Sequence, residues 1–317
     1  MKENIAAFGG DPNNVVIGGQ SSGGASVQAL ARSPAAAGLF NGVIQHSAGL
    51  DVFSTISQAV TRQTNPILNA TGCLSASGDQ AAELACMRAY DAASLVNLPT
   101  VGNSMVVDGE FFTTPTLTFN SSSYVNKVPY MIGHQRDDGT PFIRYIQTTN
   151  QTYALTANGL PVAAVENNPT VFPLQNTGNT TLDIFNLSTI VSTDRQFTCT
   201  DEAVAYAAAV TDTFPVVYYW NNNRTYQVSK TPASPSAPLV IHLWLTPSQI
   251  PYWPLPPLMA LCNAPPDAAH PAGDPEKEYW KCHSGDLTTT FSTWRRWGLP
   301  ERDEYDTPYE QMVLDYW

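Results

Sequence analysis

Short runs of apolar, β-branched residues alternate along this chain with stretches of helical period, and glycine or proline separates them. Val15–Ile17 reads as a buried strand continuing to Gly18. The run Ala25-Ser26-Val27-Gln28-Ala29-Leu30-Ala31 continues a helix predicted over Ser22–Arg32, which Pro34 stops. Gly42–His46, Val128–Gly133 and Pro215–Trp220 predict three further strands. Residues 3–9 read as a helix end, closed by the turn Gly9-Gly10-Asp11-Pro12. Residues 55–100 are mostly helical in pattern, with a break at Thr71-Gly72-Cys73. Residues 148–181 are rich in Asn, Thr and Pro and read as loops. Thr200–Thr211 is an Ala-rich helix. The proline-rich stretch 229–275 reads as irregular, with Leu239–Leu245 apolar enough for a strand or a buried loop. Leu287–Trp297 and Glu310–Tyr316 predict the last helices. No repeat occurs, and residues 1–317 read as one domain.

The first strand and first helix meet at Gly19-Gln20-Ser21-Ser22-Gly23, a G-x-S-x-G pattern. A strand that turns directly into a helix holds its apex residue in a strained conformation, and the flanking glycines leave room for the crossing backbone. Ser21 would then stand at the carboxyl edge of a sheet and at a helix N-terminus, where negative charge is favoured. The Ser22 backbone N–H would point to where an oxyanion forms. The pattern alone fits any small-residue turn; the strand before it and the helix after it favour a nucleophile.

Composition narrows the classes. The 317 residues, 43% apolar, are enough to bury a sizeable core. No 18-residue apolar run exists, so no transmembrane helix is expected. A formal charge of −12 argues against nucleic acid as a partner. Six N-x-S/T sequons, at Asn69, Asn120, Asn150, Asn179, Asn186 and Asn223, and five cysteines suggest a secreted glycoprotein. Met1-Lys2-Glu3-Asn4 begins no signal peptide, so the chain reads as a fragment whose leader is lost with an N-terminal part. No metal-binding or phosphate-binding pattern is present, and no cofactor is expected.

Residues 3–24, from Glu3-Asn4-Ile5 through Phe8-Gly9-Gly10-Asp11-Pro12 to Gly19-Gln20-Ser21-Ser22-Gly23-Gly24, resemble the type-B carboxylesterase family, which includes lipases and cholinesterases. Gly38–Ser47, Val107–Phe111 and Val128–Gly133 resemble further blocks of that family. The resemblance is weakest between about 140 and 280. It implies an α/β-hydrolase fold and a Ser-acid-His order of catalytic residues. His134-Gln135-Arg136-Asp137-Asp138-Gly139-Thr140, with Phe142, resembles the family's acid turn. Asp138 stands where the family usually has Glu, and Asp137 is its structural neighbour. Cys282-His283-Ser284-Gly285-Asp286-Leu287 resembles the block that carries the base.

Ser21, Asp138 and His283 are therefore the expected triad for acyl transfer from a small-molecule or lipid ester. Of the other histidines, His134 reads as site-lining or solvent-facing, His46 and His242 as core residues, and His270 as exposed. The resemblance also implies a Cys73–Cys86 disulfide. Cys199, Cys262 and Cys282 allow three pairings; Cys262–Cys282 is favoured because it would clamp the loop before His283. Only 20 residues precede Ser21, too few for the family's H-G-G-G oxyanion loop and for the strands that flank the elbow. The expectation is thus an incomplete sheet with the Ser21 strand at an exposed edge. A non-catalytic cholinesterase-like binding or adhesion protein, or an inactive fragment, is the alternative.

Overall fold

The structure, a computed structural model, describes residues 2–49, 52–99, 105–119, 124–225, 262, 268–269, 280–296 and 301–316. The expectations for Asn120, His242, His270, Leu239–Leu245 and most of 229–275 lie outside the described residues. In chain order, β1 (Val16–Gln20) runs into α1 (Ser22–Ala31), and β2 (Gly42–His46) follows. A short pair, β3 (Ser54–Thr55) with β4 (Val106–Val107), flanks α2 (Ile56–Ala59), α3 (Asn65–Thr71), α4 (Gln80–Ala89) and α5 (Ala92–Val96). After β5 (Tyr130–Gln135) come α6 (Gln151–Ala157), α7 (Val162–Glu166), α8 (Thr180–Thr193) and α9 (Cys199–Val210). β6 (Val217–Asn222), α10 (Leu287–Thr290) and α11 (Asp306–Tyr316) complete the described elements.

β1, β2, β5 and β6 form one parallel sheet in that order. β2 and β5 lie inside it and are buried almost throughout, as a parallel sheet covered on both faces requires. β1 lies at an edge, and no strand pairs with its outer side among the described residues. Val16 is 49% exposed, while Val15 and Ile17 are half-buried against the core, which corrects the reading of Val15–Ile17 as a buried strand: an edge strand is covered less fully than an interior one. The register pairs Gln20 with His46 and His46 with Gly133. Ser21 and Ser47 therefore leave the sheet at one level, at the carboxyl ends of neighbouring strands, where open α/β sheets place their ligands.

Two cores hold this frame. Val43, Tyr130 and Ile132 of the sheet pack with Val27 and Ala31 of α1 and Val204 and Ala208 of α9. Tyr130 stacks on Phe214 with ring centroids 4.5 Å apart. Each valine, isoleucine or phenylalanine among them contributes about 1.5–3 kcal/mol when fully buried. The second core joins Leu155 of α6 and Phe185, Leu187 and Val191 of α8 to Trp280 and Cys282. It anchors the segment that carries His283.

The loop reading of 148–181 is corrected, because α6, α7 and the start of α8 fall there. The Asn residues that suggested loops are helix caps: Asn150 Oδ1 accepts the Tyr153 N–H and Asn179 Oδ1 accepts the Leu182 N–H. The helix expected over Leu287–Trp297 is one turn, Leu287–Thr290, followed by turns within the described residues. Disulfides join Cys73 to Cys86 and Cys262 to Cys282, while Cys199 is free.

The elbow uses its glycines unequally. A Cβ on Gly19 would lie 2.1 Å from the Gly23 carbonyl oxygen, and one on Gly24 2.6 Å from that of His46; one on Gly23 would meet nothing within 4 Å. Close approach thus falls on Gly19 and Gly24, and Gly23 supplies the oxygen that crowds Gly19. Gly19→Ala is expected to cost about 1–3 kcal/mol through backbone displacement. Gly23→Ala, at an open helical position, is expected to be neutral or to gain up to about 1 kcal/mol. Thermal melts of the two variants check this, the expected order being Gly19→Ala below the parent and Gly23→Ala at or above it.

Candidate functional site

Ser21 occupies the apex with φ 58° and ψ −123°, outside the regions open to ordinary side chains. Its N–H donates to the His46 carbonyl at 3.0 Å, extending the β1–β2 ladder by one rung. Although Ser21 is the N-cap of α1, its hydroxyl makes no capping bond. Ser22 opens the helix, so its N–H belongs to the first-turn donors that lack a partner within the helix.

β2 ends one residue before Ser47, which also has positive φ (48°). The Ser47 N–H donates to the Gly133 carbonyl at 2.8 Å, and the Ser47 hydroxyl donates to Asp138 Oδ2 at 2.6 Å. Asp138 follows β5 and is fully buried. Its Oδ2 also accepts the Gln135 N–H at 2.8 Å, and its Oδ1 faces His283 Nδ1 at 2.5 Å. A buried carboxylate is tolerated when donors surround it, and here there are three.

Asp137 clamps the His283 segment in place. Its N–H donates to the Lys281 carbonyl at 3.1 Å, and its Oδ2 accepts the Lys281 N–H at 2.7 Å. Burial, with repulsion from Arg136, pushes the Lys281 ammonium down to about 8. Ser284 is a third positive-φ serine, at 67°. Of five non-glycine residues with positive φ among the described residues, three therefore border this one place.

Two rings enclose the imidazole of His283. Phe142 meets it edge-on at 5.0 Å between centroids, and Phe197 lies 5.7 Å away. Phe197 comes from a π-helical turn, Asp194–Thr198, between α8 and α9. Ser21, Ser47, Phe142, Phe197 and His283 line one cavity of about 610 Å³. A second cavity, about 500 Å³, lies against β6 and α11 and touches none of Ser21, Asp138 and His283.

The structure thus brings Asp138 and His283 into direct contact, and Ser21 and His283 onto one cavity. It does not join Ser21 to His283 by a hydrogen bond among the described residues: His283 Nε2 is 3.0 Å from Gln20 Nε2 instead. Gln20, Ser47 and Phe197 were not singled out from the sequence. Ser47 had a signal, since it follows a predicted strand just as Ser21 does. Phe197 had none, because its ring reaches the site only through the π turn.

Two other histidine readings change. His134 neither lines the cavity nor faces solvent. It is fully buried on β5, with Nδ1 3.0 Å from Asp201 Oδ2 and Nε2 near Asn221. Burial outweighs that bond and pushes the Asp201 carboxyl up. His46 is buried as expected, but polar in its role: Nδ1 is 2.5 Å from Asp286 Oδ2, and the ring packs edge-on to Trp220.

The nearby strand ends, the elbow and the parallel sheet define an α/β-hydrolase fold. The crystal structure of EstA from Aspergillus niger shares it, with a TM-score of 0.50 and 24% identity over 69% of this chain and 45% of that one. The Carboxylesterase family model matches residues 1–227, so the chain belongs to that family. A medium-chain fatty acyl-CoA hydrolase precursor from Anas platyrhynchos is 37% identical over 137 residues, 42% of this chain and 24% of the relative. Juvenile hormone esterase from Tribolium castaneum is 32% identical over 179 residues, 48% of this chain and 30% of the relative. The matched part spans a quarter to a third of those curated relatives. No helix among the described residues is long and apolar enough to cross a membrane.

Proposed function

We propose that this chain carries the nucleophile, acid and base of a serine carboxylic ester hydrolase. The observation that carries the reading is the Asp138–His283 contact beside a cavity shared with a strained, uncapped Ser21. His283, neutral with its proton on Nδ1 toward Asp138, takes the Ser21 proton at Nε2 as Ser21 Oγ attacks the ester carbonyl. The developing oxyanion is met by the Ser22 N–H at the start of α1. Collapse expels the alcohol, which takes the proton back from Nε2. Water then enters by the same steps and releases the acid.

Val52, Phe53, Met105, Phe142 and Phe197 give the cavity apolar lining, which suits an uncharged acyl group. The names of the relatives, a medium-chain fatty acyl-CoA hydrolase and a juvenile hormone esterase among them, also point to an ester or thioester of an acyl group. The absent Ser21–His283 bond favours a second, non-catalytic reading. Turnover of a p-nitrophenyl ester by the purified chain separates the two: hydrolysis lost in Ser21→Ala supports the hydrolase, and none in the parent supports the binding protein.

Secretion is part of this reading. Asn69, Asn150, Asn179 and Asn223 are exposed. Asn150 and Asn179 cap their helices through Oδ1, so the cap does not need the Nδ2 that bears a glycan. Asn186 is half-buried and donates Nδ2 to Gln175. Chain produced through a secretory pathway is expected to carry glycans at the first four and little at Asn186. Site-resolved peptide mass spectrometry reads this, and full occupancy at Asn186 alone would contradict it.

A further inference from the structure

His283 presents one ring nitrogen to Asp138 and the other to Gln20. The Asp138 carboxylate only accepts, so Nδ1 carries the proton across that 2.5 Å contact. Nε2 is then a bare lone pair, and the Gln20 amide N–H donates to it across 3.0 Å. Gln20 is the last residue of β1, fixed in the sheet opposite His46, and its side chain is half-buried. The amide that meets His283 is therefore carried on the same elbow as Ser21, one residue before it.

We infer that Gln20 is a positioning residue that holds His283 Nε2 at the Ser21 side of the cavity in both protonation states of the ring. This rests on Ser21 as nucleophile and His283 as base. Before reaction the amide N–H donates to the bare Nε2; that nitrogen has one lone pair, so the amide gives way as the Ser21 hydroxyl donates there. Once Nε2 has taken the Ser21 proton it becomes a donor, and the amide can present Oε1 to it until that proton passes to the leaving alcohol. Glutamine carries a donor and an acceptor on one planar group, so half a turn about its last torsion exchanges them. The serine proton passes to Nε2 and on to the leaving alcohol, and Gln20 itself neither gains nor loses one.

The other charged groups near the ring are committed elsewhere. Asp138 holds Nδ1 from the turn after β5. Asp286, further along the His283 segment, pairs with His46, and His134 pairs with Asp201 behind Phe197. Asp194 sits at the end of α8, and burial pushes its carboxyl up. Phe142 and Phe197 face the ring with carbon only. Gln20 is thus the partner of Nε2 among the described residues.

Two substitutions separate its hydrogen bonds from its bulk. Gln20→Glu can only accept, so it satisfies the protonated ring alone. The acid limb of the kcat/KM profile is expected to move to higher pH by about one unit or more, because the base must be neutral to act. Gln20→Met keeps length without either bond. It should leave the limb in place, since glutamine serves both ring states, and lower kcat by about tenfold with KM unchanged, because a less well placed Nε2 slows proton transfer without touching the bound substrate. Nuclear magnetic resonance titration of the His283 ring reads the Gln20→Glu shift without any turnover. An unmoved ring titration and acid limb in Gln20→Glu, or an unchanged kcat in Gln20→Met, overturns the role of Gln20. Absence of hydrolysis in the parent chain, with the ring titration still moved, contradicts the hydrolase reading and not the Gln20 contact.

Discussion

Ser21→Ala is expected to lower kcat for an activated ester by about 10⁴-fold or more, to the level left by binding and oxyanion stabilisation alone. The size follows from the division of labour in the site. Without Oγ there is no acyl-enzyme, and neither Asp138 nor His283 can replace it. The substitution is also clean. The Ser21 hydroxyl caps no N–H of α1 and makes no hydrogen bond to His283, so its removal unpairs nothing among the described residues. Stability is expected to stay within about 0.5 kcal/mol of the parent, as for a substitution that breaks no native contact. Kinetics with a p-nitrophenyl ester, beside a thermal melt, check both halves. A lost activity with an unchanged melt identifies a chemical role rather than a folding defect.

Asp138→Asn is expected to cost about 10⁴-fold in kcat by imposing the wrong tautomer on His283. Asp138 Oδ2 accepts from Ser47 and from the Gln135 N–H, and the latter cannot reverse its direction. The asparagine oxygen must therefore occupy the Oδ2 place, which turns the amide NH₂ toward His283 Nδ1. Nδ1 then has to accept, the ring proton moves to Nε2, and Nε2 can no longer take a proton from Ser21. Gln20 would meet an N–H there and present its oxygen. Ser47→Ala, by contrast, removes one donor and leaves the tautomer intact, so its loss of kcat should be far smaller. Equal losses in the two variants would mean that the carboxylate acts through local packing and not through the ring.

The strands and the elbow were legible because their signals are local. A β-branched run, a glycine pair and a helix-period run lie within Val15–Ala31, and the structure has β1 and α1 there. The resemblance carried the fold class and placed the chain in its family. The helices of 148–193 were hidden by their own ends: Asn150 and Asn179 are favourable as caps and unfavourable inside a helix, so they read as loop. Within α8, Ile184, Leu187 and Val191 recur at helical spacing and could have marked it. Val15–Ile17 does not itself mark an edge, since apolar residues suit an edge and an interior strand alike; the edge position was expected from the resemblance instead, and β1 is an edge strand among the described residues. Nor could periodicity pair Gln20 with His283, 263 residues apart in sequence. That contact depends on Trp280 and Cys282 packing against α6 and α8, with Asp137 clamping Lys281.

Covalent trapping tests the central claim most directly. Ser22, Ser26 and Ser47 line the same cavity as Ser21, so the labelled residue must be identified and not only counted. A fluorophosphonate forms a stable bond only with a serine oxygen whose proton a nearby base removes. Incubation of the purified chain followed by peptide mass spectrometry is expected to place one label on Ser21, with the label lost in His283→Ala. An unlabelled Ser21 in folded protein, or a label on Ser22, Ser26 or Ser47 instead, would contradict the assignment of Ser21 as the nucleophile.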